Sequence, residues 1–228
     1  EAGDEIVAVA IRTPPYNLIL SEVDDERAVA AFVADLRTGD LPGVVGPVRA
    51  ADRFAQLWAG ETGVRARVQV AERIYRASEA HPPENVPGRY RAYEERDRDV
   101  VLDWLKAFVA ESLPPGTPFE AEAVLARRLD ERDGGFVLWE DDGPASLAGF
   151  GGATPRGIRV GPVYTPPELR GRGYASALVG ELTARLLADG RQFCFLFTDL
   201  SNPTSNSIYQ RVGYRPVTDV NQWVFERP

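Results

Sequence analysis

The sequence predicts an α/β protein in which a central mixed β-sheet is flanked by helices. The chain has 228 residues, of which 44% are hydrophobic, so it can bury a substantial core. Residues 89–228 read as strands and amphipathic helices in the order β-α-α-β-β-β-α-β-α-β. The apolar runs before and after the longest helix are typical of strands buried between helical layers.

Residues 89–228 carry ten predicted elements. Their helices repeat apolar residues at helical spacing, as Val101, Leu105 and Phe108 do. Asp141-Asp-Gly143 is a strong hairpin signal between two strands, and Pro114-Pro-Gly116 separates two helices. The predicted strands are 89–94, 135–140, 145–153, 157–165, 193–198 and 223–225, and the predicted helices are 97–111, 120–131, 173–188 and 204–212.

Residues 6–75 carry a shorter series of elements. Pro14-Pro15 interrupts an apolar run and indicates two strands across a turn. Acidic residues at 24–26 open an amphipathic helix, and alternation from Val64 onward indicates a strand. The predicted strands are 6–12, 16–21, a short piece at 44–45 and 64–75, and the predicted helices are 24–36 and 50–59.

A polar, proline-rich stretch separates these two halves. Residues 79–88 contain Pro82, Pro83 and Pro87 and almost no apolar side chains, which is typical of a linker. We therefore predict two domains, residues 1–85 and residues 86–228.

The composition narrows the classes of function. The formal net charge is −8, which disfavours nucleic acid as a partner because phosphate binding requires a basic face. One histidine, His81, and one cysteine, Cys194, cannot build a His/Cys metal site or an internal disulfide. This cysteine usage and the lack of a long apolar run lead us to expect a cytoplasmic protein with no membrane partner and no metal.

The stretch from Val163 to Ala175 carries the predicted chemistry. A strand ends at Thr165, a turn with two arginines and two glycines follows, and a helix begins. The first turn of a helix has unpaired N–H groups and a partial positive charge, so with Arg170 and Arg172 it can cradle a diphosphate. Prolines beside the strand end cannot donate to a ladder, which favours parted strands. A glycine-rich turn with solvated arginines is the alternative.

This stretch resembles the cofactor signature of the GNAT acyltransferase superfamily, (Gln/Arg)-x-x-Gly-x-(Gly/Ala), at Arg170-Gly-Arg-Gly-Tyr-Ala175. The resemblance implies that backbone N–H groups of residues 171–175 wrap the pyrophosphate of coenzyme A. It also implies that the strand end pairs with pantetheine and that the Thr165 N–H stabilises charge on the thioester oxygen. The implied cofactor-binding residues in this stretch are Val163, Tyr164, Thr165, Arg170, Gly171, Arg172, Gly173, Tyr174 and Ala175.

A second segment resembles the same family. Asn202-Pro-Thr-Ser-Asn-Ser-Ile-Tyr209-Gln-Arg-Val-Gly-Tyr214 matches Asn-x-x-(Ala/Ser)-x-x-x-Tyr-x-x-x-Gly-(Phe/Tyr) and follows an apolar strand, as the family order requires. The resemblance implies that Asn202 contacts the cofactor and that Tyr209 protonates the departing thiolate as general acid. Asn206 lies one turn before Tyr209 and is either an orienting residue or a solvated one. Asn202, Asn206 and Tyr209 complete the predicted cofactor-binding set.

No general base is evident from the sequence. Glu120, Glu122 and Glu140 are candidates, and each of them also fits a surface charge. His81 lies in the predicted linker, which argues against a catalytic role. Cys194 lies in an apolar strand, which favours a packed core residue over a nucleophile.

Residues 6–74 loosely repeat the plan of the C-terminal half, and tandem halves occur in the GNAT superfamily. Glu22-Val-Asp-Asp-Glu26 stands where the C-terminal half has its arginines and glycines, and acidic residues repel a diphosphate. We therefore predict a degenerate, cofactor-free GNAT-like half. An unrelated α/β cap is the alternative.

The resemblance implies N-acetyl transfer from acetyl-CoA to a primary amine by direct attack. The acceptor would be a small-molecule or peptide amine, and no residue chooses among an amino acid, a polyamine, an antibiotic and a protein N-terminus. The acyl chain length and the choice between monomer and homodimer are equally open. The alternative function is a non-catalytic acyl-CoA-binding regulatory module, because no base is evident.

Overall fold

The computed structural model describes residues 6–37, 39–113 and 119–227. These residues form two compact units that interleave along the chain. The first takes the described residues up to Arg73, together with Asp199–Ser201 and those from Thr218 onward, and the second takes Ile74–Thr198 and Asn202–Val217. The division into residues 1–85 and 86–228 stays a prediction about domain organisation. Pro114-Pro-Gly116, which was predicted to separate two helices, lies outside the described residues.

The first unit contains a mixed sheet with the strand order β1-β2-β3-β10-β4. The pairing is antiparallel between β1 and β2, parallel between β2 and β3, and antiparallel between β3 and β10. Its elements are β1 (Ala10–Ile11), β2 (Leu18–Leu20), α1 (Glu26–Leu36), β3 (Gly43–Pro47), α2 (Val48–Thr62), and the larger parts of β4 (Arg65–Ala77) and β10 (Arg215–Glu226).

Helix α1 begins where the acidic run predicted it. The Asp25 carboxylate accepts a hydrogen bond from the Arg27 backbone N–H over 2.9 Å, which satisfies one of the free donors of the first turn. Val29 and Val33, one turn apart, are buried against the sheet. The prediction of an amphipathic helix from residue 24 is confirmed to within two residues.

Three strand predictions were wrong in length. The apolar runs 6–12 and 16–21 give strands of only two and three residues, and Ile6, Ile11 and Tyr16 are exposed. Apolar character alone therefore does not extend a strand that lacks partners. The final strand is far longer than 223–225, because Val220 to Val224 pair with β3, a segment remote in sequence whose contribution no local pattern reveals.

The second unit contains a mixed sheet with the strand order β4-β9-β8-β7-β6-β5. Pairing is antiparallel from β5 to β8 and parallel between β8 and β9. Its elements are the end of β4, β5 (Arg89–Ala92), α3 (Arg98–Ser112), α4 (Ala121–Asp130), β6 (Gly135–Glu140), β7 (Pro144–Gly151), β8 (Gly157–Tyr164), α5 (Tyr174–Ala188), β9 (Phe193–Asp199), α6 (Pro203–Arg211) and the start of β10. The predicted order of ten elements is confirmed.

Helices cover both faces of this second sheet. Successive strand residues point to opposite faces, so Phe136 and Leu138 pack against α3 and α4, whereas Val137 packs in the cluster that contains α5. The same alternation places Leu147 on the α3 side and Ala148 on the α5 side. The predicted mixed sheet flanked by helices is confirmed. Over the described ranges, every helix is too short or too polar to cross a bilayer.

Candidate functional site

Strands β8 and β9 are joined only at their beginnings. Parallel pairing runs from Gly157 opposite Phe193 to Arg159 opposite Phe195, and within the described residues it does not continue further. Beyond that point β8 pairs with β7 alone, up to Tyr164 opposite Leu147. The parting that the flanking prolines predicted is therefore present, and it leaves the β9-facing edge of β8 without a strand partner.

The peptide between Tyr164 and Thr165 has a defined orientation at the end of β8. The buried Ser146 hydroxyl on β7 donates to the Tyr164 carbonyl oxygen over 3.1 Å. In a planar trans peptide the C=O and the N–H point in opposite directions, so the Thr165 N–H is directed away from β7. Among the residues that the structure describes, none accepts a hydrogen bond from this N–H. The Thr165 N–H is therefore a free donor on the edge of β8 that faces β9.

The arginine–glycine turn leads directly into helix α5. Gly171 has φ +78°, and Gly173, the residue before the helix, has φ +87°. These are left-handed backbone conformations that residues other than glycine rarely adopt. The backbone N–H groups of residues 171–175 make no hydrogen bond to other described residues. A side chain built on Gly171 would meet no heavy atom within 4 Å, so this surface is open. The turn therefore presents free donors at the positive end of a helix of 15 residues.

Tyr174 anchors the beginning of α5. Its ring is buried, and its hydroxyl donates to the Asp141 carboxylate, in the turn between β6 and β7, over 2.5 Å. This hydrogen bond is the main reason that the pKa of Tyr174 lies above its usual value. A Cβ on Gly173 would lie 3.2 Å from Val86, so the helix start also packs closely against the segment before β5. The side chain of Tyr174 thus has a structural role at the predicted site.

The two arginines of the turn have different surroundings. Arg170 Nε donates to the Thr165 carbonyl oxygen over 2.9 Å, and its Nη2 donates to the Glu111 carboxylate over 2.6 Å. Arg172 is exposed: it makes a long contact of 3.4 Å to the Glu168 carbonyl oxygen and interacts with the Tyr174 hydroxyl, and this second interaction acts to lower the pKa of Tyr174. Arg170 is therefore occupied by the protein, whereas Arg172 retains most of its donors for another group.

Glu111 is a neighbour of this site that the sequence did not indicate. It lies in the last turn of α3, and its second carboxylate oxygen accepts from the Tyr164 hydroxyl over 3.1 Å. The Tyr164 ring packs 6.2 Å from Trp104, and burial together with Glu111 raises the pKa of Tyr164. Because Glu111 precedes Tyr164 by 53 residues, no local spacing could have paired them.

Tyr209 lies half-buried on α6. Its ring packs edge-on against Tyr214 with 6.0 Å between centroids, on the same core cluster that contains Tyr174 and touches Val163. Its hydroxyl makes no hydrogen bond to another residue that the structure describes. Burial among apolar groups raises the pKa of Tyr209 to about 12. The phenol therefore holds its proton throughout the neutral range.

Asn202 and Asn206 shape the beginning of α6. Asn202 caps the helix, because its side-chain oxygen accepts from the Ser205 N–H over 3.0 Å. Asn206 donates to the Asn202 carbonyl oxygen over 2.7 Å and accepts from the buried Tyr75 hydroxyl over 3.0 Å. Tyr75, on β4, was not predicted, and it also accepts from Gln210 over 3.0 Å. The binding roles predicted for the two asparagines stay predictions.

Two of the three candidate bases pair with arginines, and the third, Glu120, is exposed just before α4. Glu140 accepts from Arg89 and Arg91, and these hydrogen bonds lower the pKa of Glu140, while Glu122 pairs with Arg98.

Cys194 is fully buried, and burial raises its pKa to about 12, which confirms the packed core residue. Across the described ranges there is no cluster of three His, Cys, Asp or Glu side chains that could hold a metal ion.

The comparisons with known proteins agree with this geometry. The sequence model of the acetyltransferase (GNAT) family matches residues 98–214. No curated protein sequence matches the chain. Solved structures with a similar fold include a GCN5-related N-acetyltransferase from Sphaerobacter thermophilus, with 16% identity and a TM-score of 0.65 over 97% of this chain and 76% of that one.

Two further structures extend the likeness. A GCN5-related N-acetyltransferase from Kribbella flavida has 16% identity and a TM-score of 0.63 over 96% of this chain and 86% of that one. A GNAT-family acetyltransferase from Colwellia psychrerythraea has 12% identity and a TM-score of 0.60 over 98% of this chain and 82% of that one. At these identities the structures establish the fold. Because the family match spans both the parted strand and the segment that carries Tyr209, the chain belongs to the GNAT acetyltransferase family.

Proposed function

We propose that this protein transfers an acetyl group from acetyl-CoA to a primary amine by direct attack. One observation carries the proposal: a strand with a free edge runs into a glycine turn whose N–H groups are unpaired at the start of a helix. An extended ligand that ends in a diphosphate matches this arrangement, because β8 offers a partner for its arm and α5 offers donors for its phosphates.

The diphosphate would be held at residues 171–175. Free N–H groups and the helix dipole attract negative charge there, and Arg172 is near enough in sequence to add a cation. The positive φ angles of Gly171 and Gly173 allow the backbone to approach a ligand closely. The residues present therefore fit coenzyme A, and Asn202 and Asn206 at the start of α6 are proposed to border the same ligand.

The end of β8 would bind the acyl-bearing arm. Val163 and Tyr164 would offer the free strand edge, and the Thr165 N–H would donate to the acyl oxygen as negative charge grows on it. The direction of that N–H, away from β7, supports this assignment. When bound, acetyl-CoA supplies an activated acyl group, so the protein needs to orient it and stabilise charge.

Tyr209 would be the general acid. The amine nitrogen forms a bond to the acyl carbon, the carbon–sulfur bond breaks, and the sulfur takes the proton of the Tyr209 hydroxyl. The amine loses a proton to solvent or to a base that the described residues do not identify, and the Tyr209 phenolate regains a proton from solvent. Although burial raises the pKa of Tyr209 to about 12, the same surroundings disfavour a bare thiolate and so raise its basicity too.

We further propose that residues 1–85 are a degenerate GNAT-like half without a cofactor. The order strand, strand, helix, strand, helix, strand supports this proposal. Asp25 occupies the free donor at the start of α1, and no glycine turn precedes α2, which follows Pro47. An acidic, self-capped helix start disfavours a diphosphate. A cytoplasmic location and a monomeric or homodimeric state complete the proposal.

The proposal is tested by thiol release from acetyl-CoA with a panel of amines, together with calorimetric titration of coenzyme A. We expect wild type to bind coenzyme A and to release thiol with at least one amine. Tyr209→Phe should keep the affinity and lose about a hundredfold in kcat, the usual size of a general-acid contribution. A matched control is Tyr90→Phe, which changes another partly buried tyrosine of the same core cluster.

The outcomes separate the alternatives. If wild type has no affinity for coenzyme A, the proposed function is wrong. If it binds coenzyme A but no amine releases thiol, the non-catalytic acyl-CoA-binding module replaces the enzyme. If Tyr209→Phe keeps the full rate, Tyr209 is a core residue and another group supplies the proton.

A further inference from the structure

Side chains hold the backbone carbonyl oxygens of Tyr164 and Thr165, which lie on either side of the Thr165 N–H. Ser146 Oγ lies 3.1 Å from the Tyr164 carbonyl oxygen and 2.8 Å from Thr165 Oγ1. Arg170 Nε lies 2.9 Å from the Thr165 carbonyl oxygen. We propose that Ser146 and Arg170 are positioning residues that preset the Thr165 N–H as the donor to the acyl oxygen. This inference rests on the proposed function and extends it to Ser146, which the family resemblance did not indicate, and to a second role for Arg170.

The protons of the Ser146 contacts can be assigned from chemistry. The Tyr164 carbonyl oxygen can only accept, and the Ser146 hydroxyl has one proton, so Ser146 donates to that oxygen. Ser146 must then accept at 2.8 Å, and the Thr165 hydroxyl is the donor. The result is a directed chain from Thr165 through Ser146 to the Tyr164 carbonyl.

This chain of hydrogen bonds acts on the peptide whose N–H is the proposed donor. Hydrogen bonds in a chain polarise one another, and the Tyr164 carbonyl shares its peptide with the Thr165 N–H. Donation to the carbonyl therefore strengthens the N–H as a donor and fixes its direction. Ser146 is fully buried, so solvent does not compete for these contacts. A donor fixed before the reaction needs no reorganisation while charge develops.

Arg170 fixes the next peptide along the chain. Its guanidinium bonds to the Thr165 carbonyl oxygen and is itself held by Glu111 over 2.6 Å. Glu111 also accepts from the Tyr164 hydroxyl, so one carboxylate contacts both Arg170 and the residue that precedes the proposed donor. The backbone on each side of the Thr165 N–H is therefore restrained by a side chain from a different part of the fold.

The test is infrared difference spectroscopy of acetyl-CoA labelled with ¹³C at the thioester carbonyl and bound to the full chain. In wild type we expect the carbonyl band at lower frequency than in free acetyl-CoA, because a hydrogen bond to the oxygen weakens the C=O bond. Ser146→Ala should move the band part of the way back. It should also lower kcat about tenfold, the effect of weakening one hydrogen bond, while the acetyl-CoA Kd changes less than about twofold.

Two other variants keep the test decisive. Thr165→Val removes the first donor of the hydrogen-bonded chain but keeps the backbone N–H. It should therefore move the carbonyl band in the same direction as Ser146→Ala does. If Ser146→Ala does not fold, the band of Thr165→Val tests the inference. Thr183→Val is the matched control, because Thr183 makes an equally buried 2.8 Å bond to Tyr214 outside the β7–β8 pair. It should leave the band unmoved.

The outcomes distinguish this inference from the proposed function. Absence of acetyl-CoA binding by wild type would overturn the proposed function itself. Binding with the same carbonyl band in wild type, Ser146→Ala and Thr165→Val would overturn only the role of the hydrogen-bonded chain. Ser146→Thr, which keeps the hydroxyl, should restore the wild-type band if it folds.

Discussion

Arg170 Nε donates to the Thr165 carbonyl oxygen over 2.9 Å, so the first residue of the glycine signature is tied to the end of strand β8. Glu111 neutralises the same guanidinium, and a diphosphate would have to compete with that carboxylate for it. The exposed Arg172 has no such partner among the described residues. Arg172 should therefore contribute to coenzyme A affinity, and Arg170 should contribute to kcat.

The first prediction separates their contributions. Arg172→Gln should weaken coenzyme A binding about tenfold, because it removes one charge near the phosphates, and should leave kcat nearly unchanged. Arg170→Gln should lower kcat about tenfold with little change in coenzyme A affinity. Calorimetry and initial rates on both variants measure this split. If Arg170→Gln weakened coenzyme A binding more than Arg172→Gln did, Arg170 would be a phosphate ligand.

The second prediction concerns the backbone of the glycine turn. Gly173→Asp should abolish measurable coenzyme A binding, because it adds a negative charge and strains a residue with φ +87° beside Val86. Gly63→Asp is a matched control, since Gly63 ends helix α2 at φ +73° with no atom within 4 Å of a built Cβ. It should lower stability by about 1 kcal/mol and leave coenzyme A affinity intact. Equal losses of affinity in both variants would indicate a general folding defect.

The third prediction concerns the pH dependence of the rate. Because burial raises the pKa of Tyr209 to about 12, the acid form persists through the ordinary assay range. Loss of the general acid should then appear only as the pH approaches about 12, and kcat should not fall between about pH 8 and about pH 10. A basic limb in that interval that disappears in Tyr209→Phe would mean that the phenol titrates normally and is not buried during turnover.

The fourth prediction concerns the thiol group of Cys194. Burial raises its pKa to about 12, so only a minute fraction is thiolate at about pH 8. The folded protein should not react with an aromatic disulfide reagent on the time scale of an assay, whereas protein unfolded in urea should react with one equivalent. Rapid labelling of the native protein would show that β9 opens locally.

The sequence predicted best those features that local patterns encode. Strand β6 has the predicted bounds, Gly135–Glu140, because its apolar run is buried on both faces and closed by a turn. Helix α5 begins one residue after the predicted position because glycine fixes its start. The corner at residues 170–175 is a contiguous strand–turn–helix, so its type could be predicted from the local sequence, although Glu111 and Asp141 hold it from remote segments.

The features that sequence could not predict depend on contacts between remote segments. Glu111 meets Arg170 across 59 residues, and Tyr75 meets Asn206 across 131. Such pairs form only when the sheet brings their elements together, and a surface glutamate has no pattern that reveals its partner. Ser146 is another case, because a serine in an apolar strand gives no indication that its hydroxyl orients a peptide on the next strand.

The last prediction concerns stability in acid. Asp97 is buried, and its carboxylate accepts two hydrogen bonds from Arg91, over 2.5 and 2.7 Å, and one from the Glu94 N–H over 2.9 Å. The Arg91 bonds are the main reason that the pKa of Asp97 is lowered in the folded protein. A lowered folded pKa contributes stability that is present above the unfolded value of about 4 and is lost as the pH falls through the folded value.

Asp97→Asn should therefore lower the free energy of unfolding by about 3 kcal/mol at neutral pH, because it leaves Arg91 with Glu140 as its remaining carboxylate partner among the described residues. The loss should shrink as the pH falls below about 4, where wild type also gives up the ion pair. Urea unfolding at several pH values measures both effects. Asp99→Asn, which changes an exposed carboxylate in the first turn of the same helix, should change stability by less than about 0.5 kcal/mol at every pH. A loss in Asp97→Asn that stayed constant down to about pH 2 would assign the effect to the hydrogen bond from the Glu94 N–H and not to the ion pair.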